Sequence, residues 1–374
     1  MAVEEQLARL VSFPSVAGTS NAEIADWLTA FLVENGARVT SLPGPEGDRR
    51  NLFASLGPSE GQGIVLSGHM DVVPATEAEW VSDPFTLRGD GQHLYGRGAC
   101  DMKGFLACAL ALVADLRGVR LARPLHLALT YDEEIGCRGA PHLMAALPGL
   151  CEAPIGCIVG EPTELHPVRA HKGKAAMRIE VHGRSGHAAR PDLALNAIHG
   201  MARILSSSVA AALELAKDVG DPGFEPPYST LQVGVVQGGR AVNVVPDLCS
   251  ADLEIRAVPG IDPEALFAPI ANTADQLVEN GYRVARTLLS KYPAFDLPES
   301  SPLIGMLEEA SGLASRHAVS FGTEAGLFLQ AGWETIVCGP GDMARAHRPN
   351  EYITVDELAQ CRAMLTRLTQ RHLM

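Results

Sequence analysis

Four stretches of strand length, at 64–67, 125–131, 156–159 and 335–338, are apolar with little polar alternation. That is the pattern of strands covered on both faces, as in a parallel sheet. Each run stops abruptly, and an imidazole or a carboxylate follows. His69 and Asp71 follow the first, Glu133 and Glu134 the second, Glu161 the third, and His347 comes shortly after the fourth. Another carboxylate, Asp101, sits inside the glycine-rich segment 96–104. Between the runs, Ile24, Trp27, Leu28, Phe31 and Leu32 share one helical face, stopped by Asn35-Gly36. Segment 105–116 is apolar and Ala-rich, which predicts a buried helix. These elements predict a layered α/β domain around a central, mostly parallel sheet. Polar residues at the carboxyl ends of adjacent strands then fall on one sheet edge, where open α/β sheets bind ligands.

The pattern changes near Lys174. Met177, Ile179 and Val181 alternate with Arg178, Glu180 and His182, the mark of a sheet with one wet face. A helical stretch over 193–215 follows, then alternating strands at 231–236 and 248–257, a helix over 263–280 and a strand over 282–290. The layered pattern resumes after Pro293 and ends in a helix over 355–373. The expected organisation is a discontinuous catalytic domain, 1–173 and 289–374, with an inserted α+β domain at 174–288.

Bulk properties narrow the function classes. At 374 residues the chain is long enough for two domains. The formal net charge of −14 argues against nucleic acid as a partner. No apolar stretch reaches membrane-spanning length, and Glu4 and Glu5 stand where a secretory leader would be apolar. The eight cysteines are scattered, mostly in apolar segments, as expected for reduced thiols in the cytoplasm.

The candidate chemistry is that of a divalent metal. Residues two apart in an extended segment share a face, so His69 can bind an ion while Asp71 orients it. Asp101 has two oxygens and can bridge two ions. Adjacent carboxylates such as Glu133 and Glu134 at a strand end repel one another and lose solvation, a conflict that a cation resolves. One can ligate while the other stays free as a general base. Taken singly, each motif is also compatible with an ordinary turn or acidic loop. Gly339-x-Gly341-x-x-Ala344 mimics a dinucleotide loop, but Pro340 and the lack of a following βα unit argue against it.

In order and spacing these motifs resemble the dizinc metallopeptidase family of acetylornithine deacetylase, succinyl-diaminopimelate desuccinylase, aminoacylase and glutamate carboxypeptidase. The resemblance spans nearly the whole chain. The segments 160–163, 167–173 and 321–328 look most like the acetylornithine deacetylase branch. The resemblance implies two divalent ions, zinc or alternatively cobalt. His69, Asp101 and Glu161 would hold one, and Asp101, Glu134 and His347 the other. Asp71 would orient His69, Glu133 would be the general base, and the Asp101–Met102 peptide would be cis. His187 would reach the active site of a partner subunit, making the inserted domain a lid and the surface of a homodimer. Asn243 and Arg256 would meet the substrate carboxylate, with Lys172, Gly322 and Thr323 as further substrate contacts. Glu324 is the expected partner of a cationic substrate tail. The implied reaction is hydrolysis of an N-acyl amino acid, Nα-acetyl-L-ornithine giving L-ornithine and acetate. Alternatives are N-succinyl-diaminopimelate, N-acetylcitrulline or a peptide as substrate, or a catalytically silent amino-acid-binding protein on the same scaffold.

Overall fold

The computed structural model describes residues 2–76, 78–218 and 220–374. The chain forms two compact units: Met1–Ala170 with Asp296–His317 and Thr323–Met374, and His171–Phe295 with Ala318–Gly322. The boundary differs from the expected 174 and 288 by a few residues. Strand pairing accounts for part of this: residues 174–182 pair with Arg283–Tyr292, with a register shift between Leu288 and Ser290, so both strand ends stay with the second unit.

The first unit is built on a mixed sheet, where a mostly parallel one was expected. Its order runs Arg38–Pro43, Arg50–Leu56, Leu125–Thr130, Ile64–His69, Gly156–Pro162, Thr335–Gly339, then Val168–His171. The four middle strands are parallel, whereas the flanking pairs are antiparallel. The parallel strands are the ones with unbroken apolar runs, and all four are buried along their length. Helix Gly104–Asp115 packs against helices Val3–Val11 and Val355–His372. Its first ten residues are all buried, so it is apolar all round. A small three-stranded sheet joins Arg88–Gly89 and His93–Tyr95 to the distant Tyr352–Thr354. Thr354 then caps the last helix reciprocally with Glu357.

The second unit has a four-stranded antiparallel sheet, in the order Thr230–Gly238, Leu248–Ala257, Gly173–His182, Arg283–Tyr292. Helices Ala197–Leu215 and Ala268–Glu279 cover one face. Ile179, Val181, Leu253 and Ile255 meet Met201, Ile204, Ile270 and Leu277 in a shared core. The alternation along the strands is therefore the signature of one covered and one wet face.

Candidate metal centre

The parallel register sets the site. Ile64 lies opposite both Leu125 and Gly156, and His69 lies opposite Thr130. The carboxyl ends of these strands therefore coincide, and the polar residues that follow them converge. Close packing beneath the edge is enforced at Gly160, where a Cβ would stand 2.1 Å from the Phe105 ring. His347 and Asp132 both occupy the left-handed region, with φ of 59° and 54°. Such backbone is uncommon for residues with a side chain and clusters at functional sites. The Asp101–Met102 peptide is cis.

His69, Asp101, the adjacent pair Glu133 and Glu134, Glu161 and His347 come together from five points in the sequence. Asp101 faces an imidazole with each of its oxygens: Oδ1 is 3.1 Å from His69 Nε2, and Oδ2 is 3.1 Å from His347 Nε2. Glu161 Oε1 lies 3.6 Å from His69 Nε2, and Glu134 Oε2 lies 3.0 Å from His347 Nε2. Donor atoms of His69, Glu133 and Glu161 fall within 4.8 Å of one another, as do those of His69, Asp101 and Glu134. His347 is half exposed, whereas Asp101, His69 and Glu161 are buried.

The electrostatics follow from this crowding. Burial raises Glu133 to about 8; the His69 charge opposes this, and the charges of Glu134, Asp71 and Asp101 add to it. Burial and the Asp101 charge raise Glu134 to about 7, against the hydrogen bond from His347. Glu161 is pushed well above the carboxylate range by burial and by Asp101. Asp101 goes the other way: burial would raise it, but hydrogen bonds from His347 and His69 hold it below its ordinary value. His347 rises to about 10 because its hydrogen bonds to Asp101 and Glu134 outweigh burial. Several buried carboxylates facing one another, with imidazoles drawn up in charge to offset them, are what a divalent ion would relieve. The nitrogen and oxygen donors fit zinc or a similar ion.

Asp71 acts differently from expectation. His69 Nδ1 donates to the backbone carbonyl of Asp71 at 2.8 Å, while the carboxylate lies 3.7 Å away. The Asp71 carboxylate instead accepts the backbone N–H groups of Glu133 and Glu134, at 3.1 and 3.2 Å. Cys137 donates its thiol to Glu133 Oε1 at 3.3 Å.

Glu324 and Thr323 are not placed as surface groups. Glu324 is 1% exposed and accepts the hydroxyls of Ser67 and Thr130 at 2.5 and 2.8 Å. With both oxygens engaged, it ties two strands together. Thr323 is fully buried, and its hydroxyl accepts the N–H of Ala325. Within the second unit, Lys172 is 2% exposed and donates to the carbonyls of Pro226 and Tyr228, both at 2.7 Å. Its ammonium is therefore occupied by a loop of its own unit. Arg256 donates to Glu254 and to the Tyr292 hydroxyl, both at 2.7 Å. Gly322 packs on Tyr292, whose ring lies 2.3 Å from where a Cβ would stand. His187 and Asn243 lie at one two-stranded ribbon: His187 pairs with Val244, and Ala188 N–H donates to Asn243 O. His187 Nδ1 accepts the N–H of Ala189, so the neutral ring carries its proton on Nε2.

Residues the motifs left without a role also shape the centre. Lys103, fully buried, donates to Phe13 O at 2.8 Å. Asp132 Oδ1 accepts Gly18 N–H at 2.7 Å, and its other oxygen pairs with Arg49. Glu351, four residues beyond His347, reaches the backbone around Asp101. A buried polar residue inside an already suspect motif was the one available signal.

Comparison with known proteins follows the same lines. Residues 65–371 match the family described as Peptidase family M20/M25/M40. The chain is 39% identical over 378 residues to an acetylornithine deacetylase of Myxococcus xanthus, covering 98% of this chain and 96% of that protein. It is 34% identical over 370 residues to one of Edwardsiella ictaluri, covering 96% and 94%. An M20 family metallo-carboxypeptidase from Sulfolobus solfataricus shares the fold, with a TM-score of 0.80 at 20% identity over 98% of each chain. A dinuclear metal binding M20 peptidase of Bacillus subtilis superposes with a TM-score of 0.68 at 16% identity, covering 98% of this chain and 96% of that one. With the family match covering most of the chain and relatives above 30% identity along nearly all of it, the chain belongs to Peptidase family M20/M25/M40.

Proposed function

We propose that this hydrolase cleaves the amide of an N-acyl amino acid, with Nα-acetyl-L-ornithine as substrate and L-ornithine and acetate as products. The observation that carries the reading is Asp101, whose two oxygens each face a different imidazole at 3.1 Å. His69, Asp101 and Glu161 would hold one divalent ion, zinc or cobalt, and Asp101, Glu134 and His347 the other. When bound, such ions supply Lewis acidity, making water acidic enough to attack at neutral pH and polarising the acyl carbonyl.

The chain's own groups do the rest. Glu133, held through its backbone N–H by Asp71 and at Oε1 by Cys137, takes the proton of the attacking water and returns it to the leaving amine. Its neighbour Glu134 serves as ligand, so the two carboxylates divide the work. His187, with its proton on Nε2, is suited to donate to the developing oxyanion. Asn243 and Arg256 are assigned to the substrate carboxylate, Arg256 as a planar donor fork.

Names of relatives over 30% identical support the acetyl-ornithine assignment. Exposed Val235 and Val236 on the edge strand of the second unit support pairing with a second copy. Eight free cysteines are in keeping with a cytoplasmic location. No helix among the described residues is long and apolar enough to cross a membrane.

A panel of acetylornithine, acetylcitrulline and succinyl-diaminopimelate, run with zinc- and cobalt-loaded protein, tests the substrate. Acetylornithine is expected to give the highest kcat/KM; a higher value for another member would replace it. Glu133→Ala is expected to retain both ions and lose turnover by at least about 100-fold. Normal turnover would reject the base assignment.

A further inference from the structure

The carboxylate of Glu351 is 1% exposed and accepts four hydrogen bonds. Oε1 takes the backbone N–H groups of Cys100 and Asp101, at 2.9 and 3.0 Å. Oε2 takes the N–H of Gly98 at 3.0 Å and Arg97 Nη1 at 2.9 Å. The backbone carbonyl of Glu351 also accepts the Gly96 N–H at 2.9 Å. Arg97 is itself 1% exposed. Gly98, with φ of 80°, gives the loop the turn that aims its amides inward. One side chain thus ties the backbone at 98, 100 and 101 to a segment some 250 residues later in the chain.

Two candidate ligands ride on what Glu351 joins. Asp101 has its own N–H bonded to Glu351, and His347 lies four residues before it on the same loop, in left-handed backbone. The remaining ligands, His69, Glu134 and Glu161, sit on or just after strands of the sheet, and none of the hydrogen bonds that Glu351 accepts comes from them. An ion held by His347, Asp101 and Glu134 would therefore take two of these three ligands from the Glu351 junction, and one held by His69, Asp101 and Glu161 would take one.

We propose that Glu351 is a positioning residue for the metal centre, fixing Asp101 and His347 relative to each other, and that it governs occupancy of the His347 ion in particular. The inference rests on the dinuclear reading above. An amide cannot replace this carboxylate. Glutamine would turn one acceptor into an N–H donor facing two N–H donors. Satisfying the site would then require the loop to shift.

The experiment is a zinc titration of metal-free full-length protein against a chromophoric chelator, with ions counted by native mass spectrometry and cobalt absorption as a second readout. Wild type is expected to bind two ions. In Glu351→Gln one of the two ions should lose about 10–100-fold in affinity, as when partners that orient ligands are removed. The other ion should change by less than about threefold, leaving one ion per chain at zinc concentrations that fill both in wild type. If Glu351→Gln fails to fold, the same titration on Glu351→Asp decides: it keeps the acceptors but withdraws them by one methylene, and the same one-sided weakening is expected. Two ions retained at wild-type affinity, or both weakened equally, would overturn the positioning role while leaving the dinuclear reading intact. A wild type that binds fewer than two ions would remove both.

Discussion

His69 is oriented by the backbone of Asp71: its Nδ1 lies 2.8 Å from the Asp71 carbonyl oxygen and 3.7 Å from the nearer carboxylate oxygen. A carbonyl can only accept, so Nδ1 carries a proton, and Nε2 is the nitrogen turned toward Asp101 and Glu161. The Asp71 carboxylate is spent on the N–H groups of Glu133 and Glu134. Asp71→Asn keeps the carbonyl but offers one acceptor to two donors. It should retain the ion at His69 yet lower kcat by roughly 10–100-fold, because Glu133 and Glu134 lose their anchor. Metal analysis beside steady-state kinetics checks this; loss of the His69 ion with kcat per loaded site unchanged would contradict it.

Glu324 ties the Ile64–His69 strand to the Leu125–Thr130 strand through Ser67 and Thr130. Glu324→Gln replaces one acceptor with a donor in a buried place, where an unmatched polar group costs about 1–3 kcal/mol. Denaturant unfolding should show that loss. Turnover of acetylornithine and of acetylmethionine should fall by the same factor. A loss confined to acetylornithine would restore a substrate-reading role to Glu324.

His126 makes stability depend on pH at a point away from the metal ligands. It is 3% exposed and stacked on Phe53, with Nδ1 2.8 Å from the Ser55 hydroxyl. Burial, assisted by the Arg38 charge, lowers it from 6.5 to about 4. The folded imidazole thus resists the proton that the unfolded chain accepts. Its contribution is fully present above pH 6.5 and is lost as pH falls toward 4, by up to roughly 3 kcal/mol. Urea unfolding at pH 7 and pH 4.5 should show a smaller loss on acidification for His126→Gln than for wild type. Equal losses would mean that His126 is not the sensor.

Gly160 precedes Glu161 at the point where Phe105 lies against the strand. Gly160→Ala places a methyl within the ring, and overpacking of this kind costs about 1–3 kcal/mol. Thermal unfolding should register it, and Phe105→Leu should recover part of the loss in the double variant. A fully stable Gly160→Ala would show that the helix yields without cost.

The central strands were legible because parallel strands buried on both faces lose polar alternation, as at 64–67 and 156–159. The pairing of Glu133 with Glu134 was legible because adjacent carboxylates after an apolar strand need a cation. The small sheet of His93–Tyr95 and Tyr352–Thr354 was hidden because its strands are too short for any period to register. The partners of Lys172 and Glu324 were not legible, because no local pattern records them. Each is buried by partners distant in sequence, Pro226 and Tyr228 for one, Ser67 and Thr130 for the other.

Local chemistry in the chain determined which residue types end the parallel strands, and hence that acids and imidazoles would gather at one edge. It also determined the inserted unit, since a switch from unbroken to alternating hydrophobicity is a property of neighbours in sequence. Only the tertiary structure decided who holds whom. That His69 rests on a carbonyl, that Asp71 braces Glu133 and Glu134, and that Glu351 grips the backbone at Asp101 are hydrogen bonds whose angles and partners arise when remote segments meet. Hydrophobic periodicity encodes burial; it carries no record of which buried donor finds which acceptor.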